Sequence, residues 1–122
     1  MKYYSEEHQW VEVEGSEATI GITKFAADEL DELTYVELPT IGATFKKGDA
    51  LCVVESKKAV SDVFMPVGGT VVAVNEKLDK TPDLVNEDAE GEGWICKISG
   101  VKAEDLADLM DEEKYMDALK KH

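Results

Sequence analysis

Basic charge is scarce in this chain. It sets 13 Lys and Arg against 27 Asp and Glu, a formal net charge of −14 over 122 residues. Affinity for nucleic-acid backbones comes from clustered basic side chains, so this balance excludes nucleic acid as a partner. It also disfavours anionic membrane surfaces and favours partners with basic docking faces, whose approach salt would slow. No apolar run is long enough to span a bilayer, and the opening MKYYSEEHQW has no signal-peptide core. The expected location is therefore the cytoplasm, or an organelle matrix if a presequence has been removed.

Reactive side chains are as sparse. There are two cysteines, Cys52 in LCVV and Cys96 in WICKI, and two histidines, His8 and His122. Both cysteines read as reduced core residues. A catalytic thiol needs an activating neighbour, and a Cys/His zinc site needs more ligands than these. No Gly-x-x-x-x-Gly-Lys-Ser/Thr run offers a phosphate loop, and the calcium-loop spacing of an EF-hand is absent. Nothing in the sequence sets two carboxylates in an apolar pocket for acid–base work. Acidic runs such as DELDEL and NEDAEGE read as solvated faces. No catalytic constellation stands out from the sequence.

What the chain does have is β-patterned sequence. Its length suits one domain, residues 1–122. QWVEVEG alternates, Gly15-Ser16 supplies a turn, and EATIGIT reads as a second strand. Thr23 can cap a helix carrying Phe25, Ala26, Leu30 and Leu33, after which TYVELP returns to strand. The stretch from IGATF to VVAVN holds β-branched runs broken at Gly42, Gly48, Pro66 and Gly68-Gly69. EKLDKTPDLVNEDAEGEG reads as a polar connection with a helical turn. The tail, about 102–121, carries Leu106, Leu109, Met110, Met116 and Leu119 among charges, with Asp111 a cap and lysines in the last turn. The implied fold is mainly β, a sandwich or flattened barrel with short peripheral helices and a helical tail.

One stretch resists a purely structural reading. GDALCVVE and AVSDVFMPV flank ESKKAVSD closely enough to form a hairpin, with Lys57 and Lys58 at its turn. The loop holds no Asn-Gly, Asp-Gly or Gly-Gly, so a loop longer than a two-residue type I′ turn fits better. Lysines at a turn can simply be solvated and keep an edge from pairing. Alternatively, a hairpin-tip amine is open to an acylating enzyme, and acylation would convert it to a neutral arm on a fixed base. Such an arm raises the effective concentration of its cargo at successive active sites.

VVESKKAVSD, followed by PVGGTVVAVNEKL, LVNED and GEGW, resembles the H-protein family of the glycine cleavage system. The likeness extends upstream through HQWV, ATIGITKFA and YVELPTIGATFKKG and downstream into the tail. It implies a flattened barrel of the lipoyl/biotinyl-carrier kind, with lipoate attached by an amide to the lysine preceding alanine, here Lys58. Lys57 stands where the family often has valine. Glu55 matches the glutamate read by the lipoate-attaching enzyme. The resemblance also implies an arm-docking cleft, to which Glu7, Gln9 and Asp62 correspond. Glutamine replaces a common glutamate at Gln9, and NEDAEGEGW replaces a loop that frequently has a proline-tyrosine pair.

The implied role is a shuttle, a carrier and not an enzyme. A pyridoxal-phosphate-dependent glycine decarboxylase loads an aminomethyl group on the lipoyl arm. A tetrahydrofolate-dependent aminomethyltransferase removes it, and an FAD-dependent dihydrolipoyl dehydrogenase reoxidises the dithiol. Two alternatives stand beside it: an H-like carrier serving lipoate transfer or redox regulation outside glycine cleavage, and an unmodified β-domain that only binds.

Overall fold

Alternation in the first third folds into a meander in the computed structural model, which describes residues 2–120. Strands β1 (Lys2–Tyr4), β2 (Gln9–Glu14) and β3 (Glu17–Ile22) pair antiparallel. Gly15 makes the β2–β3 turn with a φ of 63°, a conformation that glycine adopts without strain. Helix α1 (Lys24–Leu30) follows, its first turn capped by the Thr23 hydroxyl, which accepts from the Ala26 N–H at 3.3 Å.

The helix stops sooner than its apolar spacing suggests. Leu33 is not its last apolar residue but the first of β4 (Leu33–Val36), buried in the core. The cause is Asn86, whose side chain accepts from the Leu33 N–H at 2.8 Å and donates to the carbonyls of Ala27 and Asp31. These bonds end the helix and start the strand.

The rest of the chain supplies β5 (Thr44–Phe45), β6 (Ala50–Ser56), β7 (Val60–Phe64), β8 (Gly69–Val74) and β9 (Cys96–Ser99). Two antiparallel sheets result, one ordered β1-β2-β3-β9-β8-β5 and the other β4-β6-β7. They face each other as a sandwich and do not close into a barrel. Val11, Ile20, Val71 and Ile98 of the larger sheet meet Leu33, Val36, Cys52, Val54 and Val63 of the smaller in one core. Burial of this apolar surface is the main force holding the layers together.

The polar connection before β9 is more structured than its composition implies. It forms two single-turn helices, α2 (Lys77–Lys80) and α3 (Leu84–Glu87), whose Leu78 and Val85 are completely buried. Cys52 and Cys96 are free and buried, and burial pushes the Cys96 thiol up to about 12 and the Cys52 thiol higher still. Both are inert core residues at neutral pH.

A second, smaller cluster lies outside the sandwich. Trp10 points away from the core residue Val11, and both are buried, because the far face of β2 is covered by the tail. There the rings of Tyr4 and Tyr115 stack with centroids 4.7 Å apart and 7° between planes. The tail comprises a 3-10 turn (Ala103–Leu106) and α4 (Glu112–Leu119), capped by Asp111, whose carboxylate accepts from the Lys114 N–H at 2.8 Å. Its anchor is Tyr115 rather than Met116, which is 45% exposed. Lys120 is the C-cap, so the last turn carries no lysine; Lys121 and His122 lie outside the described residues.

Candidate functional site

The ESKKAVSD segment forms a hairpin, β6 turning into β7, with Glu55 opposite Val60, Val54 opposite Ser61 and Val53 opposite Asp62. The period-two alternation divides it cleanly. Cys52, Val54 and Val63 point into the core, whereas Val60 and Asp62 face outward. Three residues, Lys57 to Ala59, separate the strands. Ser56 closes the turn: its N–H donates to the Ala59 carbonyl at 2.8 Å, and its hydroxyl accepts from the Ala59 N–H at 3.2 Å. Neither lysine has left-handed backbone, so the turn is not type I′.

Both lysines are exposed. The Lys58 side chain is 60% exposed, and its Nζ lies 3.0 Å from the carboxylate of Asp31. Glu55 sits in the middle of a row running across the smaller sheet, opposite Tyr35 on β4 and Val60 on β7. Tyr35 is 47% exposed and Val60 66%. The outer face beside the lysines thus presents an acid between two apolar side chains. The tip fits covalent attachment of an acyl group: the amine is open to a modifying enzyme, and the neutral amide product needs no counter-charge.

Of the three residues assigned by resemblance to an arm-docking cleft, the structure brings two together. Glu7 and Gln9 line a cleft of about 180 Å³ with Ser5, Glu6, Met65, Pro66 and the Lys47–Asp108 ion pair. Asp62 is not in that lining; it lies on the outer face of β7. Gln9 is 3% exposed and its amide is engaged internally, accepting from the Ser5 hydroxyl at 2.6 Å and donating to the Glu7 carbonyl at 3.0 Å. It shapes the β1–β2 turn, while the exposed Glu6 and Glu7 carry negative charge at the cleft.

The NEDAEGEGW loop serves the tail cluster. The Ala89 carbonyl accepts from the Trp10 indole N–H at 3.0 Å. Glu90 lies 2.8 Å from the Lys2 ammonium and also accepts from the Tyr4 hydroxyl and the Lys24 N–H. Burial pushes the Glu90 carboxyl up, but Lys2, the Lys24 N–H and Tyr4 outweigh it, and the net shift is below the usual carboxylate value.

A larger cleft, about 550 Å³, draws no lining residue from the hairpin; it lies beside β5 and the 3-10 turn. Among the described residues no group of three or more His, Cys, Asp or Glu could hold a metal ion. No described helix is long and apolar enough to cross a membrane. Sequence reasoning missed Asp31 and Tyr35. Asp31 hides within DELDEL, where it reads as solvated helix surface, and Tyr35 gains its meaning only from strand register.

Residues 2–122 match the family model described as glycine cleavage H-protein. The glycine cleavage system H protein of Thermotoga maritima is 45% identical over 117 residues, 96% of this chain and 94% of that protein. That of Dinoroseobacter shibae is 49% identical over 113 residues, 93% of each. The crystal structure of a glycine cleavage system H protein from Mycobacterium marinum superposes with a TM-score of 0.86 at 28% identity, covering 98% of this chain and 96% of that one.

Proposed function

The chain belongs to the glycine cleavage H-protein family, and from that premise we propose that Lys58 is the residue through which it carries lipoate, in amide linkage. Its function is that of the lipoyl-bearing shuttle of the glycine cleavage system. The observation that carries the Lys58 assignment is its place: an exposed amine at the tip of an antiparallel hairpin whose strands are anchored in the core through Val54 and Val63. When bound, lipoate supplies the dithiol–disulfide chemistry that accepts and releases the aminomethyl group. The protein holds the attachment point in place and presents its surroundings.

Those surroundings have separable tasks. Glu55, between Tyr35 and Val60, is the mark by which a lipoate-attaching enzyme recognises the tip. The cleft at Glu7 is the resting place for a cationic aminomethyl group, with Glu6 and Glu7 supplying charge and Gln9 holding the turn that carries them. Asp62 contributes from the outer face of β7 rather than from the cleft. The carrier performs no bond chemistry of its own and meets three enzymes in turn: the pyridoxal-phosphate-dependent decarboxylase, the tetrahydrofolate-dependent aminomethyltransferase and the FAD-dependent dihydrolipoyl dehydrogenase. The net charge of −14 suits basic docking faces on all three. Its compartment is the cytoplasm or an organelle matrix.

The test is intact mass of the protein from its native source, then peptide mapping across residues 51–65. One lipoyl adduct on Lys58 is expected. An unmodified chain, in cells whose other lipoyl proteins are modified, would sink the assignment and favour a purely binding role. Aminomethyl loading from glycine by the decarboxylase then tests the arm's cargo.

A further inference from the structure

Asp31 ends α1 with φ 62° and ψ −163°. That region is populated essentially by glycine alone, so an L residue is held there only where its surroundings over-determine it. Asn86 does so. Its Nδ2 donates to the Asp31 carbonyl at 2.6 Å and the Ala27 carbonyl at 3.2 Å, and its Oδ1 accepts from the Leu33 N–H at 2.8 Å. One amide side chain thus pins the last turn of α1 to the first residue of β4, with Asp31 between them. From that corner the Asp31 carboxylate reaches the hairpin tip, 3.0 Å from the Lys58 ammonium. Lys57, its neighbour, makes no ion pair with a described residue. Two adjacent lysines of like charge and exposure are made unequal by one acid from another element.

We propose that Asp31 sets the reactivity of the acceptor lysine: it holds the Lys58 ammonium in the unmodified protein and guards it against untargeted acylation, and acylation ends that hold. The proposal rests on the reading of Lys58 as the lipoyl acceptor. In the acylation step the Lys58 ammonium gives up two protons to solvent, one before attack and one as the amide forms. Its nitrogen bonds to the carbonyl carbon of an activated acyl group, a mixed anhydride with a nucleotide phosphate. The anhydride C–O bond breaks, and the phosphate leaves with its electron pair. Attack needs the nitrogen lone pair, and the deprotonation that frees it gives up the charge–charge contact with Asp31. The resulting amide is neutral and cannot restore the pair. Lys58 is therefore guarded against small acylating agents in solution, whereas a bound enzyme can supply contacts that replace Asp31.

Trace acetylation of the unmodified full chain with the N-hydroxysuccinimide ester of acetate tests this. Peptide fragmentation resolves the adjacent lysines and gives a rate at each, with Lys57 as internal reference. Lys58 is expected to react more slowly than Lys57. Asp31→Asn should speed Lys58 by about twofold to fivefold, the worth of an exposed ion pair, and leave Lys57 unchanged. Asp31→Gly should give the same acceleration although it relieves the backbone, separating charge from strain. Salt at about 0.5 M, where screening acts within a few ångströms, should do likewise in the parent chain. Equal Lys58 rates in the parent and both variants would overturn the proposal. Incubation of the parent with a lipoate-attaching enzyme tests the underlying reading separately. No lipoyl group on Lys58 would defeat the acceptor assignment and leave the acetylation result to stand on its own.

Discussion

The Tyr115 hydroxyl lies 2.8 Å from His8 Nδ1 and 2.7 Å from the Thr23 hydroxyl, which itself caps α1. One oxygen therefore joins the β1–β2 turn, the start of α1 and the tail helix. Tyr115→Phe is expected to cost about 1–2 kcal/mol, measured by denaturant unfolding, because it removes a partner from two groups that water does not readily reach. Asp31→Gly should act in the opposite direction and stabilise the fold by about 1 kcal/mol, since glycine occupies that backbone region without strain. The pH limits of the molecule also reside in single side chains. Glu90 titrates lower folded than unfolded, so its contribution is full above the ordinary value of 4.5 and is lost as pH falls through the folded one. The stability gap between the parent and Glu90→Gln should accordingly close on acidification. Tyr4 and Tyr115 are held above their ordinary value of 10, chiefly by burial, so folding loses stability as pH rises beyond that point.

At the level of elements, alternation and turn residues made β2, β3 and the lysine hairpin legible, because a half-buried strand writes its two faces into sequence. The same logic placed the Lys57–Lys58 pair at the hairpin tip, which the structure shows exposed; the choice of Lys58 and Glu55 came from the family resemblance. Alternation could not end α1 correctly, since the stop is enforced by Asn86, 55 residues beyond Asp31. Nor could it foresee that Trp10 and Val11 are both buried, because the cover over Trp10 comes from the far end of the chain. Glu7 and Gln9 are near neighbours in sequence and line one cleft, but only the hydrogen bonds reveal Gln9 as a support of the turn. Packing between strands gives a direct check. Gly21 lies opposite Trp10, and a Cβ there would sit 2.7 Å from the indole nitrogen. Gly21→Ala should destabilise by roughly 1–3 kcal/mol through overpacking, read as a lowered unfolding midpoint with little change in hairpin acylation.

At the scale of the whole molecule, charge dominates. Every one of the 13 basic residues is a lysine, and 27 acids surround them. Association with partner enzymes should therefore slow as salt rises, which loading kinetics with the glycine decarboxylase would show as a falling kcat/KM for the carrier. Salt-independent loading would argue for apolar docking through Tyr35 and Val60 instead. The placement of the tail cluster has an optical consequence as well. Trp10 is buried within it and Trp94 packs against it, and these are the only tryptophans in the chain. Intrinsic emission is thus a reporter on the docked tail and is insensitive to events at Lys58. A fluorescence unfolding curve that precedes the circular-dichroism curve would be the signature of a tail that detaches before the sandwich opens, rather than of a change at the carrier arm.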